Sequence, residues 1–96
     1  MKINYINESI GVRLRDLRER AGFSLQDVAE RVGLSRYTYY NFERGRRTIS
    51  LDLLKRLCMI YGEDYLALLE EVRQEYIEYV KHNENIVLQE LEDGDK

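Results

Sequence analysis

Apolar residues recur every three or four positions along most of this chain, which is the spacing of one face of an α-helix. In the first such segment the stripe consists of Ile10, Leu14 and Leu17, and Gly22 follows it. Four more segments of this kind come later, each preceded by a serine or an aspartate that can cap a helix. No segment alternates with period two for long enough to form a strand. The pattern predicts an all-α fold, a compact bundle of five short helices.

Caps and glycines predict where these helices begin and end. Asn7 or Ser9 is expected to start the first helix, which runs to Ala21. The caps expected for the next four helices are Ser24, Ser35, Ser50 and Asp64, and the glycines that end the second, third and fourth are Gly33, Gly45 and Gly62. The apolar face expected for the fourth helix comprises Leu51, Leu54, Leu57, Cys58 and Tyr61.

Residues 25–44 carry the most specific pattern in the chain. Gly33 can adopt the left-handed conformation that a tight turn between two helices requires. Ala29, on the inner face of the first of these helices, lets the second one cross closely. The remaining positions predicted to face inward are Val28, Leu34, Tyr39 and Phe42. Any helical hairpin needs a glycine and apolar inner faces, so it is the joint match that indicates a helix-turn-helix.

The other side of the predicted third helix is polar and aromatic. Side chains at i, i+3, i+4 and i+7 share a face, and here they are Arg36, Tyr37, Tyr40, Asn41 and Arg44. A helix-turn-helix presents such a face to the major groove of DNA. This segment therefore predicts a DNA-binding protein.

Charge is segregated along the chain. Residues 1–62 contain 12 Lys and Arg against 7 Asp and Glu, a net charge of +5, whereas residues 63–96 contain 3 against 11, a net charge of −8. The overall charge of −3 hides a basic front segment, and it is the local field that the phosphate backbone meets.

Little in the composition favours catalysis. The chain has one histidine, His82, and one cysteine, Cys58, which is expected to be a small buried residue. It shows no Gly-rich phosphate loop and no cluster of metal ligands, so neither an enzyme nor a metal or cofactor site is expected. The opening residues lack the apolar run of a signal peptide, and no stretch approaches membrane-spanning length; we expect a cytoplasmic protein.

The segment from Ile10 to Leu69 resembles the Cro and phage-repressor type of helix-turn-helix domain. The matching stretches are LRDLRERAGFS (Leu14–Ser24), DVAERVGLS (Asp27–Ser35), NFERGRR (Asn41–Arg47) and SLDLLKRL (Ser50–Leu57). This resemblance implies a lambda-repressor-like fold, a bacterial or phage origin, and sequence-specific binding to double-stranded DNA as a homodimer on an operator, without a cofactor.

The resemblance also implies which residues contact bases: Arg36, Tyr37, Tyr40 and Asn41. Arg36 can pair with guanine O6 and N7, and Asn41 with adenine N6 and N7. The two tyrosines differ from the small or amide residues of relatives and can touch thymine methyl groups or donate to phosphates. Leu25 stands where many relatives have a glutamine that anchors to a phosphate.

Other residues are expected to hold the DNA backbone or the fold. The residues expected on phosphates are Ser24, Ser35, Arg44, Arg46 and Arg47, although Arg46 and Arg47 have the alternative of being merely solvated. The family resemblance pairs Arg18 with Glu43 in a partly buried ion bridge. Such a bridge fixes the recognition helix against the scaffold and does not touch bases.

After a helix-turn-helix domain expected at residues 1–71, residues 72–96 form an acidic helical extension with an end expected to fray. Its apolar stripe is Val72, Tyr76 and Tyr79, then Ile86, with a possible break at residues 82–85. The stripe either folds onto the core of its own protomer or forms a dimer seam. We favour the seam.

The function expected is that of a small transcriptional regulator, most often a repressor that occupies its operator. One alternative is an antitoxin-like or other interaction protein whose acidic C-terminal segment binds a partner protein. A second alternative is a controller protein of a restriction–modification system.

Overall fold

The computed structural model describes residues 4–83. Within that range the chain forms five helices and no strand, which confirms the all-α prediction. Three of the four connections are three residues long, and the exception is the loop of residues 44–50. The helices are α1 (Tyr5–Ala21), α2 (Leu25–Val32), α3 (Arg36–Glu43), α4 (Leu51–Tyr61) and α5 (Tyr65–His82).

Side-chain caps begin the helices after α1 as predicted. Ser24, Ser35, Ser50 and Asp64 each accept a hydrogen bond from a backbone N–H in the first turn of the helix that follows. At α2 the Asp27 carboxylate also accepts from the backbone N–H of Ser24, which completes a capping box. That bond lowers the pKa of Asp27 below its ordinary value.

The first helix begins earlier than predicted. Its cap is Asn4, whose side chain accepts from the backbone N–H of Asn7 at 2.9 Å. Asn7 donates its side-chain amide to the Thr48 hydroxyl at 3.0 Å, and Ser9 donates its hydroxyl to Glu75 at 2.6 Å. The expectation of a start at Asn7 or Ser9 is wrong because both side chains make tertiary hydrogen bonds and do not cap.

All five helices contribute to one apolar core. α4 presents to it a face centred on Leu53 and Leu54, and not on Leu51, which is 59% exposed. The expectation that Leu51 is buried is therefore wrong, and Leu53 takes its place. Cys58 is buried as predicted, and the largest fully buried side chains are Tyr39, Leu14, Leu54, Leu57 and Val28.

α1 crosses the end of α3 at Gly11. A Cβ atom at this position would lie 2.3 Å from the carbonyl oxygen of Glu43 and 2.7 Å from that of Phe42. The two backbones touch only because residue 11 has no side chain. A glycine inside a helix costs roughly 0.5–1 kcal/mol relative to alanine, and this close approach explains its presence.

α5 continues without a break through the boundary expected between residues 71 and 72. Val72 is 4% exposed and belongs to the same core as Leu68, one turn earlier. The prediction that Val72 lines a seam between protomers is wrong, because the helical repeat places its side chain in the core of its own chain.

The two tyrosines of the same stripe also meet α1. The ring of Tyr79 stacks on that of Tyr5 with the centroids 4.1 Å apart, and Tyr76 lies 6.3 Å from Tyr5 in a tilted arrangement. These rings pack on α1 of their own protomer, which was the alternative interpretation, but both stay half-buried, so a seam at Tyr76 and Tyr79 stays a prediction. α5 ends at His82, at the predicted break. Ile86, the end expected to fray and the rest of the acidic segment 84–96 lie outside the described residues.

Polar contacts join the same two helices. Arg13 of α1 binds Glu75 of α5 with its Nη2 2.7 Å from Oε1, and its Nε lies 3.1 Å from Glu71 Oε2. The Ser9 hydroxyl donates to the second oxygen of Glu75. The hydrogen bonds from Arg13 and Ser9 favour the carboxylate and lower the pKa of Glu75.

We expect Gly11→Ala to destabilise the protein by about 1–3 kcal/mol or more, because the new Cβ meets backbone carbonyls that cannot rotate away. Chemical denaturation measures the loss. Val12→Ala, on the exposed side of the same turn, is the matched control and should cost much less. Equal stability of the two variants would contradict the close crossing.

The Glu75 contacts predict a pH-dependent contribution to stability. Because the pKa of Glu75 is lower in the folded state, its contribution is complete above the unfolded value of about 4.3 and is lost as the pH falls through the folded value. Since the Glu75 side chain is 46% exposed, we expect Glu75→Gln to cost only about 0.5–1 kcal/mol at pH 7. Thermal melts from pH 7 to pH 3 should show the two proteins converging, and a constant difference contradicts the linkage.

Candidate nucleic-acid interface

α2 and α3 form the predicted helix-turn-helix. α2 ends at Gly33, which has a φ of 72°, and the N–H of Leu34 returns to the carbonyl of Ala29 at 2.9 Å. Ala29 is fully buried, so its small side chain sets a close packing distance between the helices. Ser35 then caps α3. Each local feature expected of the turn is present.

The exposed face of α3 consists of Arg36, Tyr37, Tyr40 and Arg44. Tyr37 is 71% exposed, an unusual position for a large aromatic ring. The guanidinium of Arg44 lies over the Tyr40 ring, 5.2 Å from its centroid. These four side chains occupy one face, as predicted.

Asn41 does not belong to that face. It is 8% exposed and forms a run of three buried residues with Phe42 and Glu43. The last turn of α3 packs against α1, and the following loop folds back so that the N–H of Arg46 binds the carbonyl of Asn41. The expectation that Asn41 lies on the exposed face is wrong, because this loop and α1 cover the end of the helix.

Leu25 lies next to the exposed face of α3. It begins α2 and, with Arg36, Tyr37 and Tyr40, lines an open cleft of about 560 Å³. The rest of its side chain packs against the core. From the sequence, Leu25 is only a residue that replaces the phosphate-binding glutamine of many relatives. The folded structure places it beside the side chains of α3.

Within residues 4–83, the positive charges around α3 have no acidic partners. Among residues 4–83, most arginines of α1, α4 and α5 form ion pairs within the protein. In the same range, Arg36, Arg44, Arg46 and Arg47 form none; Arg47 lies over the Phe42 ring at 5.5 Å. Four uncompensated charges on and just after one exposed helix are suited to an anionic surface such as DNA phosphates.

The two serines expected on phosphates serve first as caps. Ser24 accepts from the N–H of Asp27, and Ser35 accepts from that of Thr38. The Ser35 hydroxyl also donates to the Thr38 hydroxyl at 2.9 Å. Both serines are exposed at the beginning of α2 and α3, where backbone N–H groups attract anions.

The predicted pair of Arg18 and Glu43 is formed. The pair is bidentate: Arg18 Nε lies 2.7 Å from Glu43 Oε2, and Arg18 Nη2 lies 3.1 Å from Glu43 Oε1. The side chains are 12% and 3% exposed. The Glu43 hydrogen bond raises the pKa of Arg18, so the guanidinium stays charged. Arg18 Nη1 also donates to the carbonyl oxygen of Phe23 at 3.0 Å, which ties α1, the end of α3 and the start of the turn to α2 together.

A second polar contact joins α3 to α4. The hydroxyls of Tyr39 and Tyr61 are 2.7 Å apart and join α3 to the end of α4. Burial raises the pKa of both groups, that of Tyr61 to about 12, so both stay protonated. The sequence pattern predicted only an apolar role for each ring. No sequence signal distinguishes a buried tyrosine with a hydroxyl partner from a buried phenylalanine.

Other chemistry is sparse in the described part of the chain. Residues 4–83 contain no cluster of three histidine, cysteine or acidic side chains suited to a metal ion. Burial raises the pKa of the Cys58 thiol to about 11, so it is an unreactive thiol at neutral pH. In the same range, no helix is both long enough and apolar enough to cross a membrane.

Comparisons with known proteins agree with this geometry. A family model described as a helix-turn-helix domain matches residues 9–72. One crystal structure of the clp gene regulator ClgR from Corynebacterium glutamicum is 30% identical, covering 73% of this chain and 91% of that one, with a TM-score of 0.65. A second ClgR structure from the same organism is 26% identical, covering 92% and 95% of the two chains, with a TM-score of 0.70. No curated protein matches the chain.

The ion pair generates a prediction about stability. We expect Arg18→Ala or Glu43→Ala to cost about 3–5 kcal/mol, because each leaves the partner charge buried and unpaired. The double variant should lose less than the sum of the two. The exposed pair of Arg15 and Glu19 is the matched control. Denaturant unfolding of all variants checks this, and strictly additive losses at Arg18 and Glu43 would show that the side chains do not interact.

Proposed function

This chain belongs to the helix-turn-helix domain family, DNA-binding proteins of the Cro and lambda-repressor kind, and we propose that it is a transcriptional repressor. In this proposal it occupies a two-fold symmetric operator as a homodimer and carries out no catalysis. The observation that carries the proposal is the set of unpaired arginines around one exposed recognition helix. The similarity to the gene regulator ClgR supports a regulatory role.

In the proposed complex α3 enters the major groove. Arg36 stands in its first turn, next to two exposed aromatic rings, and has no acidic partner among residues 4–83. Its guanidinium can form a bidentate pair of hydrogen bonds with guanine O6 and N7, which is the commonest specific contact in such complexes. Tyr37 and Tyr40 follow on the same face. We assign base contacts to these three residues. We assign no base contact to Asn41, because its side chain is largely covered.

Phosphates are held at the edges of the same surface. Arg46 and Arg47 lie in the loop after α3, and Arg44 lies at its end. The exposed starts of α2 and α3, at Ser24 and Ser35, add backbone N–H groups. These contacts orient the protein on the duplex without selecting a sequence.

Repression in this proposal requires only that the protein occupy its operator. A dimer that covers two half-sites about one helical turn, ~34 Å, apart blocks a promoter that overlaps them. Binding two half-sites through one assembly also raises affinity by effective concentration. Sedimentation of the protein with and without a two-half-site duplex measures the stoichiometry. One protomer per full site at saturation contradicts the homodimer.

The primary experiment is selection of bound sequences from a random duplex pool. We expect enrichment of a two-fold symmetric site with a guanine in each half-site. A pool without enrichment would overturn the proposed function, including its base contacts.

Substitutions then separate the two kinds of contact. Arg36→Ala should cost about 1–3 kcal/mol on the selected site and relax preference at one position per half-site. Arg46→Ala or Arg47→Ala should weaken all duplexes alike and reduce the slope of log affinity against log salt by about 1. Arg73→Ala, on α5, is the control, since that helix packs on α1 and α4. Equal, sequence-independent losses from Arg36→Ala and Arg46→Ala would contradict the division.

A further inference from the structure

The cleft between α2 and α3 combines apolar walls with one cation. Leu25 closes it on the α2 side, and the rings of Tyr37 and Tyr40 stand on the α3 side. Arg36 is the charged residue of the lining. Since Leu25 also packs against the core, its exposed part is held in place. An apolar surface with one wall anchored in the core therefore lies beside the guanidinium expected to bind guanine.

Few groups of duplex DNA suit such a surface. Base edges in the major groove are hydrogen-bond donors and acceptors, and burying them against apolar walls leaves them unpaired. The exception is the C5 methyl group of thymine, which 5-methylcytosine also carries. On a strand in which this pyrimidine precedes a guanine, the methyl group lies beside the O6 and N7 atoms that Arg36 is expected to bind.

We propose that this cleft recognises the C5 methyl group of a pyrimidine followed by guanine, with Leu25 as a specificity-determining residue. The inference rests on the proposed DNA-binding function and deepens it. Leu25 and the two rings enclose the methyl group while Arg36 binds the neighbouring guanine. A polar residue in place of Leu25 would instead find hydrogen-bonding partners on the DNA backbone.

The test uses the full-length protein and the duplex obtained by selection. Each thymine is replaced in turn by deoxyuridine, which keeps the O4 acceptor and removes only the methyl group. At the thymine before the guanine we expect affinity to fall about four-fold per half-site, the loss that corresponds to ~0.8 kcal/mol for one buried methyl group. Replacement at the other thymines should change affinity much less.

A second pair of duplexes distinguishes the two sources of the methyl group. Cytosine and 5-methylcytosine are compared at the same position, opposite guanine. We expect the methylated duplex to bind about four-fold tighter per half-site. A preference for thymine over deoxyuridine without a preference for 5-methylcytosine over cytosine restricts the ligand to thymine and overturns recognition of the methyl group alone.

Protein variants assign the effect to the cleft. Leu25→Ala should bind the thymine and deoxyuridine duplexes with equal affinity. Leu51→Ala removes an exposed leucine from the equivalent first position of α4 and should keep the full preference. Circular dichroism confirms that each variant is folded. If Leu25→Ala does not fold, Tyr37→Ala tests the facing wall of the cleft, because that ring is exposed and can be removed without loss of the core.

The outcomes separate the inference from the function on which it rests. Selective binding to a site in which deoxyuridine matches thymine at every position overturns the methyl cleft and leaves the proposed function standing. So does a selected half-site without thymine before guanine. A folded Leu25→Ala protein that keeps the whole preference overturns the role of Leu25. Failure of selection itself overturns the proposed function.

Discussion

The buried pair of Arg18 and Glu43 determines how the helix-turn-helix is held. Glu43 ends α3, so its carboxylate fixes the C-terminal end of the recognition helix to α1 by two short hydrogen bonds. A third donor of Arg18 fixes the backbone at Phe23, just before α2. Such a pair contributes little net free energy, because desolvation offsets the attraction, but leaving either charge alone is very costly. The pair therefore acts by excluding other placements of α3. Gly11 makes the arrangement possible by letting the two backbones touch.

The positive charge around α3 depends on which arginines form ion pairs within the protein and which do not. Arg13 and Arg18 are neutralised by the acidic side chains of Glu75 and Glu43, whereas within residues 4–83 no ion pair is formed by Arg36, Arg44, Arg46 or Arg47. Affinity for a phosphate backbone depends on the cations that are free to displace counterions. A chain with a net charge of −3 thus presents a basic surface where α3 is exposed. The aromatic rings on that surface, Tyr37 above all, add exposed apolar area beside these charges.

The contacts of α5 show how one pattern supports two structures. A stripe with alternating steps of three and four is equally suited to a partner helix and to the core of its own chain. Here Val72 completes the core, Tyr79 stacks on Tyr5, and Glu75 binds Arg13. The partners of Glu75 and Tyr79 lie in α1, 62 and 74 residues away in sequence. Periodicity contains no information about which surface will cover a stripe, and for that reason the expectation that Val72 lies in a dimer seam was wrong.

Apart from the start of α1, the helix bounds, the caps and the turn at Gly33 were predictable from sequence, because the interactions that determine them span at most four residues. The identity of the recognition helix and the pairing of Arg18 with Glu43 followed from the resemblance to a known family. Only the tertiary structure decided which side chains at the helix ends are buried by neighbouring segments. Asn41 and Leu51 show this most clearly: each has the helical spacing predicted for it, yet the loop after α3 buries one and the packing of α4 exposes the other. Burial depends on contacts between segments far apart in the chain, and local sequence does not encode them.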